Sequence, residues 1–290
     1  MAWKIYRVIL RLRSPMHIGW GKVGNLQRTR PYVTGRAIWG ALTMRLTRDA
    51  ANGGSPAADS AEYQKTGAEV HRSLAFSYFY PATRSDSDYD IAWPWEDPPR
   101  FAWRFLGSYS GAAVSYSQRS SEPGLLHEIE FISPRTVDHG QPVFLVGYIL
   151  EDNAAVNHLK WQQALQRFQI GGERGYGWGD TEIVEIEPIP DQRLFGSVSV
   201  LTDGSRPVLC LDGTDSSPAR LLGHVDAGGV RAEGEIEPLV GREWRSNEKR
   251  HRHAGQHVEF VAMTFQPGGL VRESAKFEIG RFGVWKATAG

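Results

Sequence analysis

The alternation of apolar and polar positions predicts a β-strand near the N-terminus. Its apolar positions are Tyr6, Val8, Leu10 and Leu12. They alternate with Arg7, Ile9, Arg11 and Arg13, so the strand is expected to bury one face and to present arginine on the other. From Gly35 to about Arg48 the apolar residues recur at helical spacing, which predicts the first helix. Between this strand and this helix, closely spaced glycines predict a loop that runs to Pro31.

Further elements follow the first helix. The predicted strands cover residues 126–132, 143–150 and 181–186, and a second helix is predicted over residues 154–168. Residues 85–124, rich in Trp, Tyr, Pro and Ser, are interpreted as an inserted hairpin or thumb. The order over residues 4–187 is then βαββαβ, the order of ferredoxin-like and RRM-like domains, and the predicted fold class is α+β.

The segment Pro188-Ile189-Pro190 indicates a domain boundary. It separates a ferredoxin-like domain over residues 1–187 from a smaller β-rich domain over residues 191–290. Strands are predicted in the second domain over residues 194–201, 208–211, 258–265 and 276–285. A degenerate ferredoxin-like copy is one interpretation of this second domain.

Composition limits the class of protein. The 290-residue chain is 41% hydrophobic, enough to bury a core over one or two domains. Its single cysteine, Cys210, excludes an internal disulfide framework and a multi-cysteine zinc site. Charged residues interrupt the N-terminal segment, and no apolar run reaches the roughly 18 residues of a membrane span. We therefore expect a soluble, cytoplasmic protein.

The net charge of zero conceals an uneven distribution. Residues 1–48 contain ten lysines and arginines and no aspartate or glutamate. A long segment with cations and no carboxylates is typical of proteins that bind a polyanion. The alternative is a basic face that only solvent contacts.

A glycine-rich segment runs from Gly171 to Gly179, with five glycines in nine residues. Glycine permits positive φ and close approach of the backbone to a ligand, so such a loop can hold phosphate. A dinucleotide-binding loop follows a strand and precedes a helix, whereas this loop follows a predicted helix and precedes a predicted strand. A Walker A motif is also absent, because Lys22 is followed by Val23 instead of serine or threonine. No cofactor is predicted.

Three segments together resemble the RAMP superfamily of CRISPR-associated RNA-binding subunits. They are Ser14-Pro15-Met16-His17-Ile18-Gly19-Trp20-Gly21, Pro31-Tyr32-Val33-Thr34-Gly35-Arg36-Ala37-Ile38-Trp39-Gly40-Ala41-Leu42 and the glycine-rich segment, in this order. The resemblance implies ferredoxin-like domains assembled on a guide RNA, the crRNA, with other subunits of a type III effector complex. It is greatest to the subunit that caps the 5′ repeat-derived tag of the crRNA.

The resemblance leaves the catalytic role open. Family members that cut target RNA use an aspartate between the first two motifs, and residues 20–34 contain neither Asp nor Glu. We therefore expect a non-catalytic subunit. The alternatives are a metal-independent endoribonuclease that processes crRNA through His17, and a backbone subunit along the guide.

Cations and aromatic rings in the three motifs are the predicted RNA contacts, since phosphates pair with cations and bases stack on rings. The predicted residues are His17, Gly19, Gly21, Lys22, Arg28, Arg30, Arg36, Gly171, Gly172, Arg174, Gly175, Tyr176, Gly177 and Trp178. The first helix is also expected to offer N-terminal amides to a phosphate. For Tyr176 and Trp178, packing beneath the loop is an equal alternative. No catalytic or metal-binding residue is predicted.

Two further regions have open roles. The run 242–252 is basic and could contact RNA, a neighbouring subunit or only solvent. Within the insertion, Trp93, Trp95, Trp103 and Tyr109 form either a thumb that contacts a partner or a lid that packs on the protein itself.

Overall fold

The computed structural model describes residues 3–51, 59–115, 117, 120–121, 124–154, 159–246 and 255–288. These residues form both helices and sheets, which confirms the predicted α+β class. The first part of the chain has β1 (Trp3–Leu12), β2 (Gly19–Val23), β3 (Leu26–Thr29), α1 (Gly35–Ala50), α2 (Ser60–Ser73), β4 (Leu74–Phe76), β5 (Tyr80–Arg84), β6 (Tyr89–Ile91), α3 (Pro98–Phe105), β7 (Leu106–Gly111), β8 (Val114–Ser115), β9 (Ser120–Ser121), β10 (His127–Ile132), β11 (Phe144–Asp152), α4 (Trp161–Leu165) and β12 (Thr181–Pro188). The second part has β13 (Arg193–Leu194), β14 (Val198–Leu201), β15 (Val208–Leu211), β16 (Ala219–Arg220), β17 (Val225–Asp226), β18 (Ile236–Glu243), β19 (His257–Phe265), β20 (Leu270–Val271), β21 (Ala275–Ile279) and β22 (Trp285–Ala287).

The central sheet has the strand order β12-β1-β11-β5-β6, and β4 also pairs with β11. Its strand pairs are antiparallel. The even-numbered residues of β1, from Tyr6 to Leu12, share a buried core with Ile38 of α1 and Trp161 of α4. The first predicted strand and the first predicted helix are confirmed.

The opposite face of β1 is more apolar than predicted. Trp3 and Ile5 are buried in a core shared with the second sheet, and Ile9 is fully buried in a smaller cluster. Arg7 and Arg11 are the half-buried exceptions, and each pairs with a carboxylate. Arg7 and Arg11 therefore lie on the face that the sequence predicted for arginine, but most of that face is buried.

A separate four-stranded sheet has the order β2-β3-β10-β7. Residues predicted as a loop before the first helix thus form the hairpin β2–β3. The predicted strand 126–132 exists as β10, but it belongs to this sheet instead of the central one. Its expected place beside β11 is taken by β5, which follows a helix, α2, that was not predicted. The predicted insertion contributes β6 to the central sheet and β7 to this smaller one.

The second part of the chain forms an eight-stranded sheet, with the order β13-β14-β15-β21-β22-β17-β19-β18. The four predicted strands all fall on it, although two of them are broken, by the turn between β13 and β14 and by the 3-10 turn Arg281–Gly283. Leu209 and Phe277 of this sheet pack against Trp3 and Leu150 of the central sheet. None of the described helices is long and apolar enough to cross a membrane.

Candidate nucleic-acid interface

The glycine-rich loop lies between α4 and β12, in the predicted order of helix, loop and strand. Its base is closed by a bridge between Gln169 and Asp180 and by a hydrogen bond from Ile170 N to Gly179 O at 2.9 Å. The Gln169 side chain donates from Nε2 to the carbonyl oxygens of Arg174 and Trp178, at 3.2 and 2.9 Å. The loop is therefore held in one shape by its own backbone and by the Gln169 side chain.

The loop after β1 docks directly onto the glycine-rich loop. Gly172 N donates to His17 O at 2.9 Å, and Gly179 N donates to Pro15 O at 2.7 Å. Gly171 has φ +91°, and a Cβ there would overlap the carbonyl oxygen of His17. Only glycine combines this backbone conformation with this close approach. The structure thus brings two of the three sequence motifs together through main-chain contacts.

His17 lies beneath these loops and not on their surface. The side chain is buried, and its Nδ1 is 2.7 Å from the carbonyl oxygen of Glu130, to which it donates. A Cβ on Gly19 would lie 2.8 Å from Nε2, so the glycine leaves room for the ring. This geometry gives His17 the role of fixing the loop.

The exposed side of hairpin β2–β3 carries the predicted Gly19, Gly21 and Lys22. Arg28 is partly exposed on β3, and its Nε donates to Glu130 Oε2 at 2.9 Å. These four residues remain on the outside of the protein, on the hairpin that directly follows the loop of His17.

Arg30 and Arg36 lie elsewhere. Arg30 is buried and forms two hydrogen bonds with Glu237, at 2.7 and 3.0 Å, which raise its pKa against the opposing effect of burial. Arg36 is paired with Glu243 at 3.2 Å and stacks on the Phe282 ring at 4.1 Å. Both guanidinium groups are directed at the second sheet, so they do not belong to the exposed interface that the sequence predicted.

The start of α1 is also occupied by the protein itself. Thr34 Oγ1 accepts a hydrogen bond from Ala37 N at 3.3 Å. Gly35 packs so tightly that a Cβ would lie 2.6 Å from the carbonyl oxygen of Phe282. A phosphate at the start of α1 would have to displace this packing, which argues against the predicted phosphate site there.

Arg174 points at the other end of α1, where its Nη1 lies 2.8 Å from the sulfur of Met44. Burial and the charge of Arg48 both lower the pKa of Arg174. Nearby, Asp49 pairs with Arg45 at 2.5 Å and with Arg167 at 2.7 Å. We call Arg45, Arg48, Arg167 and Arg174 the arginine cluster. Among the ion pairs of the described residues, Asp49 is the carboxylate that contacts the arginine cluster. One carboxylate against four arginines leaves the cluster with an excess of positive charge.

Tyr176 and Trp178 have different surroundings. Tyr176 is 84% exposed on the loop. Trp178 is half-buried, with its ring centroid 5.2 Å from that of Phe131 and 6.2 Å from that of Tyr109. A Cβ on Gly107 would lie 2.8 Å from the Phe131 ring, so this glycine lets Phe131 lie across the strand. We call Tyr109, Phe131 and Trp178 the aromatic surface. Phe131 was not singled out in the sequence, because its partner Trp178 is 47 positions away along the chain.

The tryptophans of the insertion divide between packing and exposure. Trp93 and Trp95 stack at 5.1 Å and surround Tyr80, as a lid would. Trp103 and Tyr109 are more than half exposed.

Of the basic run 242–252, residues 247–252 lie outside the described residues. Arg242 Nη1 donates to Gly255 O at 2.9 Å. Across the part of the chain that the structure describes, no group of three His, Cys, Asp or Glu side chains is arranged to hold a metal ion.

A sequence model of the RAMP superfamily matches residues 9–182, more than half of the chain. The chain belongs to the RAMP superfamily. The match runs from the second half of β1 to the start of β12 and includes both docked loops and the four-stranded sheet. No curated protein matches the sequence.

The chain is similar in fold to chains of three cryo-EM structures of the type III-B Cmr-beta complex. With the complex bound to cognate target RNA, the match has 9% identity and a TM-score of 0.38, and covers 62% of this chain and 96% of the other. For the apo complex the identity is 11% and the TM-score 0.40, and the match covers 64% of this chain and 98% of the other. For the complex bound to cognate target RNA and AMPPnP the identity is 12% and the TM-score 0.44, and the match covers 91% of this chain and 85% of the other.

Proposed function

We propose that this protein is a non-catalytic RNA-binding subunit of a type III CRISPR effector complex. It holds the crRNA, at its 5′ repeat-derived tag, and contacts neighbouring subunits. Membership of the RAMP superfamily supports this assignment. The observation that carries it is the pair of docked loops, because the glycine-rich loop bears both Arg174 of the arginine cluster and Trp178 of the aromatic surface.

This arrangement suits single-stranded RNA. Arginines that outnumber nearby carboxylates attract phosphates, and exposed rings such as Tyr109 and Tyr176 offer faces on which bases stack. The positive-φ glycine Gly177 is exposed on the loop, with open space around it, so a polynucleotide can approach its backbone closely. The proposed contacts are Lys22, Arg28, Arg174, Tyr176 and Trp178 from the sequence prediction. Arg45, Arg48, Arg167 and Tyr109 are added from the structure.

The proposal extends to the fold. A ferredoxin-like arrangement is supported by the order β12-β1-β11-β5, in which the first and third strands lie at the centre and the sheet is antiparallel. The division into domains at residues 1–187 and 191–290 is supported by the separate eight-stranded sheet of the second part.

A non-catalytic role is favoured by the position of His17. A general base must reach the proton that it removes, within about 3 Å or through one water. The His17 ring is buried and its Nδ1 already donates to a backbone carbonyl. Incubating the purified protein with labelled repeat RNA and no metal tests this role. Specific cleavage that His17→Ala abolishes would favour the endoribonuclease alternative.

RNA binding is tested by titrating a labelled single-stranded RNA that carries the repeat tag at several salt concentrations. Arg174→Ala is expected to weaken binding and to lower the slope of log Kd against log salt concentration by about 0.7, the value for one lost phosphate contact in single strands. Arg231→Ala removes an exposed arginine of the second part and is the matched control, with no change expected. Equal affinity and salt dependence for both variants would contradict the proposed interface.

A further inference from the structure

The hairpin β18–β19 has an outer face that is almost entirely apolar. Directly opposite pairs on this face are Val240 with Phe260 and Pro238 with Met263. We call the set Ile236, Pro238, Val240, Val258, Phe260 and Met263 the apolar ribbon. Its five large side chains other than proline are 46–59% exposed. Because β18 is the edge strand of the eight-stranded sheet, the ribbon lies at the margin of the molecule.

The inner face of the same hairpin is charged. Glu237 and Glu243 of β18, and Glu259 of β19, pair there with Arg30 and Arg36. A strand with one buried face normally turns its apolar residues inward and its polar residues to water. In this hairpin the inner face combines these ion pairs with the buried Leu239, and the outer face is the more apolar of the two. Contiguous exposed apolar surface on a sheet is characteristic of an interaction site.

We propose that the apolar ribbon is the docking surface for a second protein, whose contact face is apolar and bears a carboxylate opposite Arg242. Arg242 stands opposite Val258 at one end of the ribbon and is exposed. Among the described residues of the outer face, Arg242 is the one with a charged side chain. A carboxylate of the partner placed opposite Arg242 would therefore fix the register of docking. The inference rests on the proposed function, since it requires that the chain is a subunit of a complex.

Other occupants fit less well. RNA requires several cations along its phosphates, and the described outer face offers Arg242. A second copy of the chain would bring its own ribbon and arginine, and no carboxylate stands among the described outer-face residues to meet that arginine. The adjoining segment 247–254 reads Asn-Glu-Lys-Arg-His-Arg-His-Ala, which is too polar to cover an apolar face.

Docking uses the face of β18 and not its edge. Pro238 has no backbone N–H to donate to an added strand. The pairing with β19 also shifts between Leu239 and Val240, which distorts the edge. Natural sheets use both features to block edge-to-edge pairing.

The test co-expresses the chain with a crRNA and the effector subunits encoded beside it, and measures assembly by affinity purification and native mass spectrometry. The double variant Val240→Glu with Phe260→Glu is expected to reduce the recovery of one neighbouring subunit at least about tenfold, because it places charge in an apolar contact. Arg242→Glu is expected to weaken the same contact, and Arg242→Lys to retain it. Leu201→Glu changes an exposed leucine on β14 of the same sheet and is the matched control.

Thermal melting of each variant checks that it folds, and RNA titration measures whether its RNA site is intact. Normal assembly of the double variant overturns the inference, while wild-type co-purification still supports the proposed function. Loss of RNA binding in the double variant overturns it in favour of an RNA surface, and a wild-type dimer that the double variant dissociates overturns it in favour of self-association. If the wild-type chain recovers no subunit, both the inference and the proposed function fail.

Discussion

Replacing Glu237 by glutamine tests a buried polar cluster between the hairpin β2–β3 and the second sheet. Glu237 accepts two hydrogen bonds from Arg30, at 2.7 and 3.0 Å, and a third from Nε2 of His224 at 2.6 Å. Burial lowers the pKa of His224, so its ring is neutral. Its Nδ1 then accepts from the Tyr78 hydroxyl at 2.6 Å. The carboxylate is thus the group that both Arg30 and His224 require.

The contribution of the Glu237 carboxylate to the free energy of unfolding can be estimated in two ways. The Arg30 and Glu237 side chains are 10% and 12% exposed. Removing one partner of such a pair leaves the other charge buried and uncompensated, at a cost of about 3–5 kcal/mol. The same contacts act on the pKa of Glu237: burial raises it, but hydrogen bonds from His224 and Arg30 outweigh burial and bring the pKa to about 2, against 4.5 ordinarily. That difference corresponds to about 3 kcal/mol at neutral pH.

Denaturant unfolding at pH 7, followed by tryptophan fluorescence, measures this contribution. Glu237→Gln is expected to lower the free energy of unfolding by about 3 kcal/mol. Glu233→Gln is the matched control, because Glu233 makes the same two-point contact with Arg272, at 2.7 and 3.1 Å, in an exposed position. Solvent screens exposed pairs, so no resolvable change is expected there.

A loss below about 1 kcal/mol for Glu237→Gln would refute the assignment of a buried, compensated pair, since values of that size belong to exposed pairs. An equal loss for Glu233→Gln would refute it as well. The double variant Arg30→Gln with Glu237→Gln is expected to recover part of the stability, because no uncompensated charge remains. Additive losses would show that the two residues do not act as a pair.

Two further predictions follow from the geometry. The stabilisation due to Glu237 is complete above its ordinary pKa of 4.5 and is lost as the pH falls towards about 2. In acid titrations between pH 5 and 2, the wild type should therefore lose more stability than Glu237→Gln. Parallel titration curves for the two proteins would contradict this prediction. Gly171→Ala forces alanine into φ +91° against His17 O and should cost at least about 1 kcal/mol and weaken RNA binding. Gly175→Ala, with open space around its Cβ, should change neither, and equal effects of both variants would contradict the docked-loop geometry.

The sequence pattern predicted those helices and strands whose apolar residues recur at a regular spacing and form one buried face. Strand β1, helix α1 and the order around the glycine-rich loop belong to this group. Helix α2 was not predicted, because its buried positions include Ser60, Gly67 and Ser73, which do not form an apolar stripe. Strands β4 and β5 are buried almost throughout, so their sequence lacks alternation.

The candidate site was predicted in part, for a different reason. A count of charges along the first 48 residues correctly found a basic segment, but it could not show which cations are already neutralised. Arg30 and Arg36 find their carboxylates 207 residues later in the chain, on β18. Arg174 lies beside Arg48 instead, and this like-charge contact between separate motifs is set by tertiary packing.

The ion pairs that connect α1 and hairpin β2–β3 to β18 have a consequence for synthesis. Arg30 and Glu237 are separated by 207 residues, and ribosomes add about 5–20 residues per second. Arg30 and Arg36 are therefore made roughly 10–40 seconds before Glu237 and Glu243. During that interval these two arginines lack their partners on the nascent chain, and they can reach their final positions only near the end of translation.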